Sequence, residues 1–324
     1  MLSGNHIYIV RHHRKGHETV SLFTVDAAVV GYLDILGFRN LVRADANRGI
    51  IAARLDRAME RALEWFGGKA ALKGTADAEW RVRVFSDCVC VAKAATDLGI
   101  LVTLDAISAF SREMIASGFP IRGGLTTGPY SDSDQLIFSQ AQIDAYDLES
   151  KQAQYPRIVL STDLMNSIGS MSDDEMRLAT KEFIITDRDV PAFVNFLIFE
   201  EEDVWLGGNK FYLKQKGVIE RSLGDVALQA NVREKYAWMA QFHNWSLFQT
   251  ARTLKQSGEL DEDSVWSFSS LLIPGAPING RFRCLAWSDS AFQKPWYIRD
   301  DKDIDWIRQW PGVGTEDDEP EEGV

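Results

Sequence analysis

Val29-Val30-Gly31-Tyr32-Leu33-Asp34-Ile35-Leu36-Gly37-Phe38 is an apolar run with one carboxylate set in its middle. Its β-branched and aromatic residues, closed by a glycine, suit a buried strand followed by a turn. An ionised aspartate buried without a partner is costly, so Asp34 must be neutralised, hydrogen-bonded or holding a metal. Which of these applies decides the function.

Outward from this strand, apolar residues recur at Ile50, Ile51, Leu55, Met59, Ala62, Leu63 and Phe66, close to the period of an amphipathic helix over residues 44–66, and Gly67-Gly68 ends it. After a loop at 73–78, residues 80–92 predict two strands joined near Phe85-Ser86-Asp87. A second helix is expected over 98–117, with Gly118 as its C-terminal cap. Ile121-Arg122-Gly123-Gly124-Leu125-Thr126-Thr127-Gly128 reads as a strand whose glycines let a ligand or another backbone come close. A short helix over 140–151 and a strand over 158–161 follow. This order predicts an α+β protein, with helices packed on a mainly antiparallel, ferredoxin-like sheet.

Beyond residue 170 the pattern changes. Strands are expected at 183–186, 193–200 and 210–217. A long amphipathic helix over 225–255 then carries Leu228, Val232, Tyr236, Met239, Phe242 and Trp245 at steps of three and four, as a packing or dimerisation element. Trp266, Trp287, Trp296, Trp306 and Trp310 mark a segment expected to lie over the core, and the acidic end lacks the apolar surface to order itself. The expected divisions are an N-terminal arm or edge strand over 1–25, a catalytic core over 26–170, an extension over 171–314 and a disordered tail over 315–324.

Composition narrows the function. The 324 residues carry a net charge of −12, half of it on Glu316, Asp317, Asp318, Glu319, Glu321 and Glu322. An acidic body without a Lys/Arg stripe argues against duplex nucleic-acid binding. Cys88, Cys90 and Cys284 give no disulfide framework, and the first two, two apart in a strand, read as small apolar packing groups. His6, His12, His13 and His17 sit in a basic N-terminal stretch, leaving His243 as the one histidine elsewhere, so His-based acid–base chemistry is not expected. No apolar run reaches membrane length and no signal-peptide core opens the chain, which predicts a cytoplasmic protein away from membranes. GxSxG, HExxH, Walker and GxGxxG patterns are absent from the sequence.

The chemistry then falls to Asp34 and Asp87. In a ferredoxin-like sheet the first strand lies beside the hairpin, so the two carboxylates converge on one end of the sheet. Two hard oxygen ligands suit Mg²⁺ or Mn²⁺, and such ions serve phosphoryl or nucleotidyl transfer. The alternative is a structural Asp34, capping a turn or pairing with Arg83 or Arg122.

Three stretches resemble the successive signatures of class III nucleotide cyclases: Tyr32-Leu33-Asp34-Ile35-Leu36-Gly37-Phe38, Phe85-Ser86-Asp87, and Arg122 through Gly128. The resemblance covers about residues 29–161. It implies that Asp34 and Asp87, with the backbone carbonyl of Ile35, hold two divalent metals per active site. It also implies a head-to-tail homodimer with composite sites. Arg83, four before Asp87, stands where purine cyclases of this class carry a base-selecting Lys or Glu, and the family's second base-selecting position falls near Leu136. Ile143 and Asp147 stand where the family carries Asn and Arg for the ribose and transition state. The stretch Gln142–Glu149, with Lys235-Tyr236-Ala237-Trp238 and His243-Asn244-Trp245, is similar to the pyrimidine cyclases of bacterial Pycsar anti-phage systems. That similarity implies conversion of UTP to cyclic UMP, or of CTP to cyclic CMP, with the product acting on a separate effector. Tyr32, Gly37, Phe38, Arg83 and Arg122 are the candidate substrate-binding residues. The reading of another class is a degenerate cyclase-like module that binds nucleotide or dimerises without turnover.

Overall fold

The computed structural model describes residues 7–9, 23–46, 48–67, 80–133, 136–190, 192–198, 209–257, 268, 270–278 and 281–285. Most of the expected N-terminal arm, the 73–78 loop, the tryptophans from Trp266 onward and the acidic tail lie outside these residues. The chain divides into two compact units, one ending at Phe196 and taking in Cys284 with its neighbours, the other beginning at Leu197.

In the first unit, β1 (Ile7–Ile9) pairs antiparallel with the start of the long strand β2 (Phe23–Ile35), as an edge strand would. Helices α1 (Phe38–Ala44) and α2 (Ile50–Leu63) follow, then the hairpin of β3 (Arg81–Phe85) and β4 (Cys88–Ala94), helix α3 (Asp97–Ala116) and strand β5 (Ile121–Asp132). These strands lie side by side in the order β3-β4-β2-β5, every neighbouring pair antiparallel. That is the βαββαβ arrangement of a ferredoxin-like sheet, so the expected α+β class holds.

Beyond it come α4 (Gln140–Gln152) and β6 (Ile158–Leu160), which runs parallel to β5. Helices α5 (Thr162–Gly169) and α6 (Asp174–Glu182) precede β7 (Ile184–Thr186) and β8 (Phe193–Val194). Because β8 pairs with β6 and β7 with β8, the sheet carries on past residue 170.

Two layers cover β2. Its odd residues Val29, Leu33 and Ile35 join Val89 and Val91 of β4 and Leu125 of β5 in a core with α2 and α3. Its even residues Ala28 and Val30 join Ala92, Tyr130 and Ala141 under α4. A strand buried on both faces reads as an unbroken apolar run, as the 29–38 stretch does.

The expected helix over 44–66 is broken in two. Asp45 accepts hydrogen bonds from the amides of Ile51 (2.9 Å) and Ala52 (3.0 Å), and Gly49 takes a left-handed φ of 65°, so α2 starts afresh there. A 3₁₀ turn at Glu64–Phe66 ends it. The glycines of β5 serve backbone packing: a Cβ on Gly124 would meet the Ala145 carbonyl oxygen at 2.2 Å, and one on Gly128 the Ala141 Cβ at 3.2 Å. Helix α4 therefore lies hard against the sheet.

In the second unit, α7 (Asn209–Gly224) corrects the strand expected over 210–217. Tyr212, Gln215, Val218 and Ile219 are its buried positions, a helical spacing that the aromatic and β-branched composition obscured. Among the described residues of the strand expected over 193–200, the ladder is confined to Phe193–Val194. Helix α8 (Ala230–Ser257) is the long helix expected over 225–255, but it opens only after a turn at 225–229 that leaves Leu228 outside it; Trp238, Phe242 and Trp245 form an aromatic cluster with Phe282.

Candidate metal centre

Register brings the site together. Asp34 lies opposite Cys88 of β4 on one side and opposite Arg122 of β5 on the other. The hairpin turns at Ser86, whose φ is 56°, and this presents Asp87 next to Cys88. The amide of Ile35 donates to the carbonyl of Asp87 at 3.1 Å, tying the two carboxylate-bearing segments to each other. Ligand atoms of Asp34, Asp87 and Cys88 all lie within 4.8 Å of one another, an arrangement that could hold a metal ion.

Asp34 is partly buried, and its two oxygens are used differently. Oδ2 accepts from Arg122 Nε at 3.1 Å, while Oδ1 faces the Cys88 thiol at 3.7 Å. Burial raises the Asp34 pKa above the ordinary carboxylate range, the Arg122 guanidinium opposes that rise, and the Asp87 charge adds to it. The Cys88 thiol is 3.9 Å from Asp87 Oδ1 and accepts from the Tyr32 hydroxyl at 2.8 Å. Burial pushes this thiol up to about 11, helped by both carboxylates, so it stands protonated beside them. Burial also raises the Tyr32 hydroxyl. The donor set thus fits a divalent cation through its two carboxylates, which are hard oxygen ligands of the kind Mg²⁺ and Mn²⁺ prefer.

Helix α4 supplies a polar stripe above the even face of the sheet. Gln142, Tyr146 and Glu149, at i, i+4 and i+7, meet Cys90, Tyr32 and Arg122 in turn. Gln142 Nε2 donates to Cys90 Sγ at 3.1 Å, the Tyr146 ring packs edge-on to Tyr32 at 5.3 Å between centroids, and Glu149 Oε1 pairs with Arg122 Nη2 at 2.7 Å. Glu149 and Cys88 are site residues that sequence reading leaves out. Cys90 is the buried packing group expected of it, but Cys88 is half-buried and turned into the carboxylate cluster.

The other candidates are placed as follows. Asp34 pairs with Arg122, as one alternative allowed, and Arg83 is engaged elsewhere: its Nη2 donates to Asp132 Oδ2 at 3.2 Å and to the Ser133 carbonyl at 2.7 Å. Gly37 makes the left-handed turn into α1 with φ 78°, and Phe38, its first residue, packs on the core. Ile143 and Asp147 lie on α4, the former exposed and the latter bonded to Lys151 at 2.7 Å. In the second unit His243 is fully buried between Gln215 Oε1 (2.8 Å) and the Leu271 carbonyl (3.0 Å), and Asn244 holds the Ile273 and Ala276 carbonyls. Both are used for packing there.

No family model matches the sequence, and no curated relative matches it. Among solved structures the chain is similar to a class III adenylyl cyclase-like ATP-binding protein from Pseudomonas aeruginosa, at 17% identity and a TM-score of 0.32. That likeness covers 48% of this chain and 37% of the other, so it spans well under half of that protein. No helix among the described residues is long and apolar enough to cross a membrane.

Proposed function

We propose that the chain is a divalent-metal-dependent pyrimidine nucleotide cyclase, converting UTP to 3′,5′-cyclic UMP and pyrophosphate. The observation that carries this is the meeting of Asp34 on β2 and Asp87 in the β3–β4 turn, from two separate cyclase-like signatures, within one cluster. Asp34, Asp87 and the Ile35 carbonyl would hold the ions, Mg²⁺ or Mn²⁺, two per site. A divalent ion bound there supplies Lewis acidity, lowering the pKa of a ribose 3′-hydroxyl and neutralising triphosphate charge. The oxygen attacks the α-phosphorus, its proton leaves to solvent, and the bond to pyrophosphate breaks. The chain's part is positional: Arg122 holds Asp34 by one oxygen, and the Ile35–Asp87 backbone bond fixes the spacing of the carboxylates.

Arg83 carries only donors, which favours the O2 and O4 carbonyls of uracil, but its Nη2 is held by Asp132 and the Ser133 carbonyl, so its other nitrogens would have to make that contact; CTP is the alternative substrate. The resemblance to Pycsar cyclases supports a homodimer with composite sites and a cyclic product that acts on a separate effector in anti-phage defence. A second reading, a cyclase-like module that binds nucleotide without turnover, draws on Asp147: it stands at the family's Arg position and is paired with Lys151 on the helix surface.

Incubation with each of the four ribonucleoside triphosphates and Mn²⁺, followed by chromatography, tests the enzyme reading. Cyclic UMP with pyrophosphate is expected, and loss of both in Asp34→Ala and Asp87→Ala. Absence of cyclic product from every triphosphate sinks the enzyme, and turnover surviving in either variant sinks the metal assignment.

A further inference from the structure

Helix α2 segregates its side chains into stripes at i, i+4 spacing. Ile51, Leu55, Met59 and Leu63 form an apolar one, and the exposed acids Asp56, Glu60 and Glu64 run beside it. Two of the helix's three bases point elsewhere: Arg61 is bonded to Glu113 of α3 at 2.6 Å, and Arg54 lies over the Phe119 ring at 4.9 Å, while Arg57 is exposed. Both stripes line a cleft of about 1070 Å³, together with Phe38, Leu41 and Val42 of α1 and Val84 of the hairpin. Val42 of α1 is 55% exposed and Val84 of the hairpin 41%, while Ile51, Leu55 and Met59 are part-buried and Leu63 is buried at the floor. Among the described residues that line the cleft, four are carboxylates, counting Asp45, and none is Lys or Arg.

We propose that this cleft is a docking groove for a basic amphipathic helix of a partner protein. The apolar stripe from Ile51 to Leu63 runs about 18 Å at 1.5 Å per residue, the length of some three turns of a partner helix. Apolar anchors at i, i+3/4 and i+7 fill such a groove, and a flanking row of Lys or Arg meets the acid stripe. Ile35 and Ser86, the chain neighbours of Asp34 and Asp87, also line the cleft, so an occupant touches both carboxylate-bearing segments. The groove stands whether or not the chain turns over nucleotide.

The test titrates full-length protein into a fluorescein-labelled Leu/Lys amphipathic helix of about 18 residues, with a Leu/Glu helix of the same pattern as comparison, read by fluorescence anisotropy. Asp56→Lys/Glu60→Lys reverses the groove's charge, and Asp174→Lys/Glu175→Lys makes the same change in net charge outside it. The Leu/Lys helix is expected to bind wild type and the outside variant alike, and the groove variant at least tenfold more weakly. The Leu/Glu helix gains binding only to the groove variant. Met59→Gln, which alters no charge, weakens the Leu/Lys helix about threefold and serves should the double variant fail to fold. Failure of wild type to bind the Leu/Lys helix overturns the proposal. So does equal weakening by the outside variant, or equal binding of both helices.

Discussion

Arg122 is a cation already seated on a proposed metal ligand, and its hold on Asp34 is measurable. Its guanidinium spans Asp34 Oδ2 at 3.1 Å and Glu149 Oε1 at 2.7 Å, with side-chain exposures of 29% for Arg122, 15% for Asp34 and 4% for Glu149. Unit charges about 4 Å apart interact by about 4 kcal/mol at an effective dielectric near 20, before desolvation is subtracted. A charged hydrogen bond contributes about 1.5–3 kcal/mol net, and Glu149 takes part of the guanidinium, leaving about 1.4 kcal/mol on Asp34, or a factor of ten. Glu149→Gln leaves Arg122 to Asp34 alone, so the Mn²⁺ dissociation constant should rise about tenfold. Arg122→Met/Glu149→Gln removes both charges without stranding buried Glu149, whose exposure as an unpaired charge would cost about 3–5 kcal/mol in the single Arg122→Met variant. The double variant should bind Mn²⁺ roughly tenfold tighter than wild type at pH 8. Acid should weaken it more steeply: burial already raises the Asp34 pKa, and without Arg122 nothing comparable opposes that rise, so protons compete from a higher pH. Electron paramagnetic resonance of free Mn²⁺ reads all three proteins. A double variant that binds no tighter than wild type refutes the competition.

Other expectations follow from single contacts. Gly124→Ala drives a Cβ into the Ala145 carbonyl at 2.2 Å and Leu148 Cβ at 2.5 Å, and should cost about 1–3 kcal/mol in urea unfolding. Gly37→Ala meets nothing within 4 Å and should cost only the left-handed strain, about 1 kcal/mol. Arg157→Met removes the guanidinium 2.7 Å from the buried Asp187 carboxylate and should cost about 3–5 kcal/mol, whereas Arg61→Ala at the exposed Glu113 pair should cost under about 1 kcal/mol. Burial lowers the His243 pKa from 6.5 to about 4. Between those values the unfolded chain takes up a proton that the folded chain refuses, so stability falls by about 3 kcal/mol on acidification, and the imidazole resonances of His243 should not titrate above about pH 5.

The parts of the fold that read directly from sequence are those whose burial matches a simple period. The 29–38 stretch announces itself because helices cover both faces of β2, and the hairpin does so because apolar runs flank Ser86-Asp87. Helix α7 misleads because Phe211, Tyr212, Val218 and Ile219 carry strand propensity, while the buried positions that decide the matter are set by partners distant in sequence, such as the Leu197 carbonyl for Tyr212 and His243 for Gln215. In the site, Asp34 and Asp87 are legible because each stands out against apolar neighbours. Glu149 is not, since a carboxylate on an amphipathic helix looks like solvated surface until α4 is laid over β5. Cys88 is hidden for a related reason: only the register opposite Asp34 separates it from the packing role that Cys90 fills.

The glycine-rich stretch of β5 then has a physical meaning as a unit. Arg122 must reach Asp34 across the ladder, and a guanidinium shared with a second carboxylate needs that carboxylate on whatever covers the sheet. Helix α4 supplies it only because Gly124 and Gly128 let Ala145 and Ala141 approach to contact that a β-carbon would forbid. At that separation Gln142, Tyr146 and Glu149 fall directly on Cys90, Tyr32 and Arg122. The close approach expected of these glycines is thus that of a helix backbone. A larger residue at position 124 would lift α4, lengthen the Glu149–Arg122 contact and hand the guanidinium to Asp34. Gly124→Ala should therefore weaken Mn²⁺ binding as Glu149→Gln does, by up to about tenfold, besides its cost in stability. Unaltered Mn²⁺ affinity in a folded Gly124→Ala protein would separate the glycine's packing role from the metal centre.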